Sequence, residues 1–176
     1  MPITRKTTTA KHSSGAAKAG PKDAVQLLTA DHKEVKGLFT RYQKLVDDEA
    51  GAEERQTLAE QICEMLTVHA TIEEEIFYPA ARAALDHQDM LDEAEVEHAS
   101  AKDLIAQIEG MGADDDLYDA KVTVLGEYID HHVKEEEGEM FPTCRKSDMD
   151  LAALGEELAS RKAELMEAVQ GELQPH

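Results

Sequence analysis

The stretch His69-Ala-Thr-Ile-Glu73-Glu74-Glu75-Ile-Phe-Tyr78-Pro79 aligns without gaps on His132-Val-Lys-Glu-Glu136-Glu137-Gly-Glu-Met-Phe141-Pro142. Histidine at the start, glutamate four and five residues on, an aromatic nine on and proline ten on coincide in both. In a helix, positions i and i+4 share a face, so each copy presents an imidazole and a carboxylate side by side. A single HxxxE is weak in a chain this rich in glutamate; two copies in register with an aromatic and a proline are a motif.

Working outward, turn signals cut the chain into helix-length blocks. Asp23 with Gln26 forms a capping pair ahead of a periodic stretch reaching about Asp48, and Gly51 breaks it. A second block runs from about Ala52 to Leu85, and a third from Asp89, its candidate cap, to Glu109. A fourth runs from the Asp114-Asp115-Asp116 cluster, read as a helix cap, to about Pro142, and a fifth from Asp148 to about Val169. Each of the first four carries a heptad seam with one histidine in a core slot: Val25, Leu28, His32, Val35, Phe39; Leu58, Ile62, Met65, His69, Ile72, Ile76; Leu91, Ala94, His98, Ala101, Ile105; Leu125, Tyr128, His132. Short connections make consecutive helices antiparallel. The fold expected is all-α: an antiparallel up-down four-helix bundle over residues 23–146, preceded by a disordered basic tail (1–22) and followed by an amphipathic helix (147–176) packing on the bundle or on a partner.

The histidines also agree in height. His32 and His98 lie nine residues after Asp23 and Asp89, about 13.5 Å along their helices, and His69 and His132 lie ten before Pro79 and Pro142, about 15 Å. With alternate helices reversed, the four imidazoles fall in one layer.

Composition narrows the function. The chain has 176 residues, 18 Lys+Arg against 38 Asp+Glu, a net charge of −20 and no tryptophan. The tail holds five of the cations and no acid, leaving 13 bases against 38 acids, or −25, for the remainder. Such a polyanion is a poor partner for nucleic acid, and no apolar run is long enough to span a bilayer. Cys63 and Cys144 form neither a disulfide scaffold nor a CxxC knuckle, so the expected setting is the reducing cytoplasm; on their helices they sit roughly 27 Å apart axially, too far to bridge.

Four imidazoles and two carboxylates converging in an apolar layer would be costly without a counter-charge. A bound cation resolves this, and the mixed N/O donor set suits Fe, Mn or Zn over Ca or Mg, with six side chains fitting two ions better than one. Around them, Tyr128 is a candidate ligand or hydrogen-bond donor one turn before His132, although its plain reading is a core aromatic. Met65 reads as packing. Glu74, Glu97 and Glu137 are candidates to orient histidine N–H groups, with most of them expected to be solvated. His131 competes with His132, but the repeat register selects His132; His12, His87 and His176 receive no role.

The pattern H…HxxxE…H…HxxxE, given by His32, His69, Glu73, His98, His132 and Glu136, resembles the hemerythrin-like HHE cation-binding domains over roughly residues 23–146. That resemblance implies a non-haem di-iron centre, oxo- or hydroxo-bridged, with Glu73 and Glu136 as bridging carboxylates and the four histidines as terminal ligands. Oxygen-carrying hemerythrins have a further histidine at the place of Lys102, so by resemblance the ligand set is four histidines and both irons keep an open position. The expected function is to bind, sense or reduce a small oxidant such as oxygen, peroxide or nitric oxide, with carriage, sensing and enzymatic turnover left open. The alternative is an iron or zinc storage or sensing module without redox turnover.

Overall fold

The structure, a computed structural model, describes residues 20–172. The expected basic tail falls outside the described residues but for Gly20, Pro21 and Lys22, as do His12 and His176. Among the described residues the chain is all helical. Helices α1 (Ala24–Asp47), α2 (Ala52–Ile72), α3 (Tyr78–Ala84), α4 (Asp89–Glu109), α5 (Tyr118–Glu135), α6 (Phe141–Lys146) and α7 (Leu151–Glu172) follow one another, with π-helical turns at Glu73–Phe77 and Glu136–Met140 welding α2 to α3 and α5 to α6. The result is a bundle of four long helices with a fifth, α7, laid against α1 and α2.

Helix starts and stops follow local chemistry. Asp23 Oδ1 accepts from Gln26 N–H at 2.8 Å and Gln26 Oε1 accepts from Asp23 N–H at 3.1 Å, a complete capping box for α1. The break after α1 is made by Glu49, which takes the left-handed conformation at φ 54°, whereas Gly51 has an ordinary φ of −60° and caps α2. Asp89 is the first helical residue of α4 and the cap position is Gln88. The acidic run at 114–116 does not cap the fourth helix either: Asp115 accepts from Gly112 N–H at 2.9 Å, tightening a turn, and α5 begins only at Tyr118. Asp119, in its first turn, is instead gripped by Arg55 at 2.7 and 2.8 Å and by Tyr42 Oη–H at 2.6 Å.

The prolines explain the π turns. Pro79 and Pro142 have no N–H to give the carbonyls of Glu75 and Gly138, so the ordinary i−4 bond is lost in the last turn of each motif. The chain closes with wider bonds instead, Tyr78 N–H to Glu73 C=O and Phe141 N–H to Glu136 C=O, each spanning five residues. Both helices then continue past their prolines, the second to Lys146.

Two apolar clusters fill the interior. One holds Leu38, Tyr42, Leu58, Ile62, Leu66, Ile105, Ile108, Val122 and Leu125; the other holds Leu28, Ile72, Phe77, Tyr78, Leu91, Met140, Phe141 and Leu158. Buried Cys63 belongs to the first and buried Cys144 to the second, both as free thiols. The polar residues buried between α1, α2, α4 and α5 lie where these clusters meet.

Candidate metal centre

Each HxxxE pair sits at the end of an α-helix as it opens into a π turn, so Glu73 and Glu136 begin the wider segments. Among the described residues, the buried polar side chains are Asp31, His32, His69, Glu73, His98, His132 and Glu136, with Glu73 at 0% and Glu136 at 1% exposure. The six residues singled out in the sequence are thus brought together in one layer.

Their geometry is specific. His32 Nε2 lies 3.2 Å from His69 Nε2, and His98 Nε2 lies 3.1 Å from His132 Nε2. Glu73 reaches across both pairs, with Oε1 at 3.0 Å from His69 Nε2 and Oε2 at 3.3 Å from His98 Nε2. Glu136 Oε2 is 3.2 Å from His32 Nε2 and 3.5 Å from His132 Nε2. Two candidate positions follow, one among His32, His69, Glu73 and Glu136, the other among Glu73, His98 and His132.

The outward nitrogens decide the state of the inward ones. His32 Nδ1 faces Glu137 at 2.9 Å, His69 Nδ1 faces Asp31 at 3.2 Å, His98 Nδ1 faces Glu74 at 2.9 Å and His132 Nδ1 faces Glu97 at 2.6 Å. An ionised carboxylate only accepts, so each Nδ1 carries a proton, and a ring that gives up its second proton turns its Nε2 lone pair inward. Four Nε2 atoms and two carboxylates therefore converge, and Glu73 Oε1 and Glu136 Oε2 are buried without a hydrogen-bond partner. Such a group of acceptors lacks a cation.

The field confirms that sign. Burial opposes charge on His69, yet Glu73, together with the hydrogen bond to Asp31, pushes it up to about 10. His32 and His98 rise as well, against their burial, through the adjacent carboxylates of Glu136 and Glu73 respectively. Burial would raise Glu73, but His69 and His98 hold it well below its ordinary value of 4.5. Positive charge is what the layer favours, and the donor set of imidazole and carboxylate fits first-row transition ions.

Glu74, Glu97 and Glu137 all face a histidine Nδ1, where most of them were expected to be solvated. Asp31, which the sequence reading did not single out, does the same for His69 and is itself held by Lys162 of α7 at 2.5 Å. Lys102 stays outside the layer, bonding Glu74 at 2.5 Å. Tyr128 is a correction: it is 49% exposed, on the outer side of α5, and takes no part. The tyrosine that does is Tyr78. Its Oη donates to Glu136 Oε1 at 2.7 Å and lies 3.2 Å from His98 Nε2 and 3.4 Å from His132 Nε2. Its equivalent in the second motif, Phe141, stacks parallel to His32 at 5.8 Å between ring centroids, at an interplanar angle of 2°. A phenol oxygen thus serves the His98/His132 position and a phenyl the His32/His69 position. The two candidate positions are therefore unlike in their aromatic neighbours.

Comparison with known proteins agrees with this layout. The family model of the hemerythrin HHE cation-binding domain matches residues 23–144. The chain belongs to the hemerythrin HHE family. A crystal structure of a hemerythrin HHE domain-containing protein from Mycobacterium kansasii, a homolog of Rv2633c, superposes with a TM-score of 0.71 at 25% identity, covering 86% of this chain and 92% of that one. Among curated relatives, the uncharacterized Rv2633c of Mycobacterium tuberculosis is 26% identical over 81% of this chain and 87% of its own length. A DNA nickase from Nostoc sp. is 30% identical over 69% of this chain, a stretch that spans only 33% of the nickase. No helix among the described residues is long and apolar enough to cross a membrane. This is a metal-binding, hemerythrin-like protein.

Proposed function

We propose that the HHE bundle holds two iron ions, one at His32 and His69 and one at His98 and His132, with Glu73 and Glu136 shared between them, and that it binds or reduces a small oxidant. The observation that carries the reading is the convergence of four Nε2 atoms on two buried carboxylates with unpartnered oxygens. When bound, a pair of irons supplies one-electron and two-electron redox chemistry at neutral pH. The chain supplies the rest.

The carboxylates on Nδ1 fix the ring orientation and raise the basicity of each histidine. The Tyr78 hydroxyl offers a further oxygen donor to the second position and leaves the first as the more open of the two. A cavity of about 30 Å³, lined by apolar side chains including Val35, Met65, Leu66, Ala101 and Ile105, touches all four histidines. It accommodates a water-sized or diatomic guest. Oxygen, peroxide or nitric oxide fits there; a phosphodiester does not, so the nickase relative's chemistry is not part of this proposal.

The test is to load the metal-free protein with ferrous iron without air and mix it rapidly with oxygen, peroxide or nitric oxide while recording the visible spectrum. About two irons per chain and a spectral change with at least one oxidant are expected, and His98→Ala lowers the iron content. A protein that prefers zinc, stays colourless and responds to none of the three would instead be the storage or sensing module.

A further inference from the structure

The fourth bundle helix carries two overlapping HxxxE pairs. His132 and Glu136 point inward; His131 and Glu135, one residue earlier, point outward, and His131 is 66% exposed. His131 Nε2 lies 3.3 Å from Glu135 Oε1 on its own helix and 3.4 Å from Glu97 Oε1 on α4, and one ligand atom from each of the three falls within 4.8 Å of the others. Two carboxylates and an imidazole from two packed helices make a tridentate N/O/O face with open positions toward water.

Its setting differs from that of two of the other three orienting carboxylates. Asp31 and Glu74, which hold His69 and His98, are each capped by a lysine, Lys162 and Lys102. Glu97, which holds His132 through Oε2, is met at its other oxygen by an imidazole, a metal ligand in place of a fixed cation. A surface recess of about 430 Å³ opens over His131, Glu97 and Glu135. Beneath it a pocket of about 30 Å³ shares Glu93, Glu97 and Glu135 and ends on His132 and Glu136. No lysine or arginine lines either space. The floor is Glu136, 1% exposed, whose Oε2 faces His32 and His132 of the buried layer.

From this geometry we infer that Glu97, His131 and Glu135 form a third, outer site for a first-row divalent cation, at the mouth of an acidic cleft that delivers the ion to the buried pair. The delivery role rests on the reading of the buried layer as a metal centre. An ion held by the outer face is bound through the same carboxylate that orients His132, so loading passes inward along Glu97 with no unpaired cation crossing apolar surface.

The test uses Zn²⁺ on the metal-free full chain, followed by titration calorimetry and, for rates, by competition with a coloured chelator. Wild type should take up tight equivalents and one further, weaker one. His131→Ala and Glu135→Gln, both at exposed or half-exposed positions that leave the core intact, should lose only the weak equivalent. They should also fill the buried pair about ten-fold more slowly at limiting Zn²⁺. His98→Ala should do the reverse, losing tight binding and keeping the weak equivalent. A weak equivalent absent from wild type, or unchanged in His131→Ala, overturns the outer site. Unchanged loading rates in both outer variants overturn delivery. Tight binding unaffected by His98→Ala instead overturns the buried-centre reading and leaves the outer site standing on its own count.

Discussion

A single hydroxyl separates Tyr78 from Phe141, and it makes the two halves of a repeated motif unequal. Tyr78→Phe should leave about two irons bound but remove any phenolate-to-ferric absorption band in the visible, and a band that survives excludes the phenol as a ligand. In the metal-free protein the same substitution strips Glu136 Oε1 of its 2.7 Å donor, for a loss of about 1–3 kcal/mol by chemical denaturation. The six donor residues were legible from the sequence because they obey helical registers. Tyr78 was not, because five residues of α-helix turn it about 140° away from Glu73. Asp31 was hidden for another reason: it is one residue off its seam and becomes buried only because α7 covers it with Lys162. The cysteines give a second test at this scale. Burial pushes the Cys63 thiol up to about 12 and that of Cys144 up to about 11. Neither should react with a disulfide reagent at pH 8 in the native protein, and both should react in guanidinium; a fast native thiol would contradict the packing.

At the level of elements, the two π turns are the departure that heptad counting could not anticipate. A seam read at 3.6 residues per turn runs His69, Ile72, Ile76 and misses the side chain that the wider turn swings back over Glu73. The proline ten residues after each histidine was the available signal, since it forbids the ordinary bond to Glu75 or Gly138. Helix count and order were legible from turn chemistry, whereas the acidic run before α5 misled because it closes a turn. The contact of α7 with α1 is tight at Gly155, where an added Cβ would lie 2.3 Å from the Lys22 carbonyl oxygen and 2.8 Å from Asp23 Cα. These are backbone atoms tied into the α1 capping box, so they yield poorly. Gly155→Ala should therefore destabilise the protein by about 1–3 kcal/mol despite its favourable helix propensity. A neutral or stabilising result in thermal denaturation would show that α7 is free to shift.

For the whole molecule, pH and metal act on His32, His69 and His98 with opposite sign. In the metal-free protein His32, His69 and His98 have raised values, so their contribution is complete below their ordinary value of 6.5. It is lost as pH rises through the folded values, about 10 for His69. Glu73 contributes above its ordinary 4.5 and loses that contribution as pH falls through its depressed folded value. Metal requires neutral imidazoles, so binding weakens in acid. The rise in melting temperature on adding Zn²⁺ or Fe²⁺ should thus grow between about pH 6.5 and pH 8, while the metal-free melting temperature declines over that range. Parallel curves with and without metal would place the ion elsewhere.

The last helix also carries a consequence for the first. Arg161 grips Glu75 at 2.7 Å beside the π turn, and Lys162 grips Asp31, the prop of His69. A proteolytic clip ahead of Arg161 deletes no residue of the six-membered donor set, yet it releases both struts on one flank of the centre. Damage at that remote end would register as a lopsided loss of grip on one ion, with its neighbour retained.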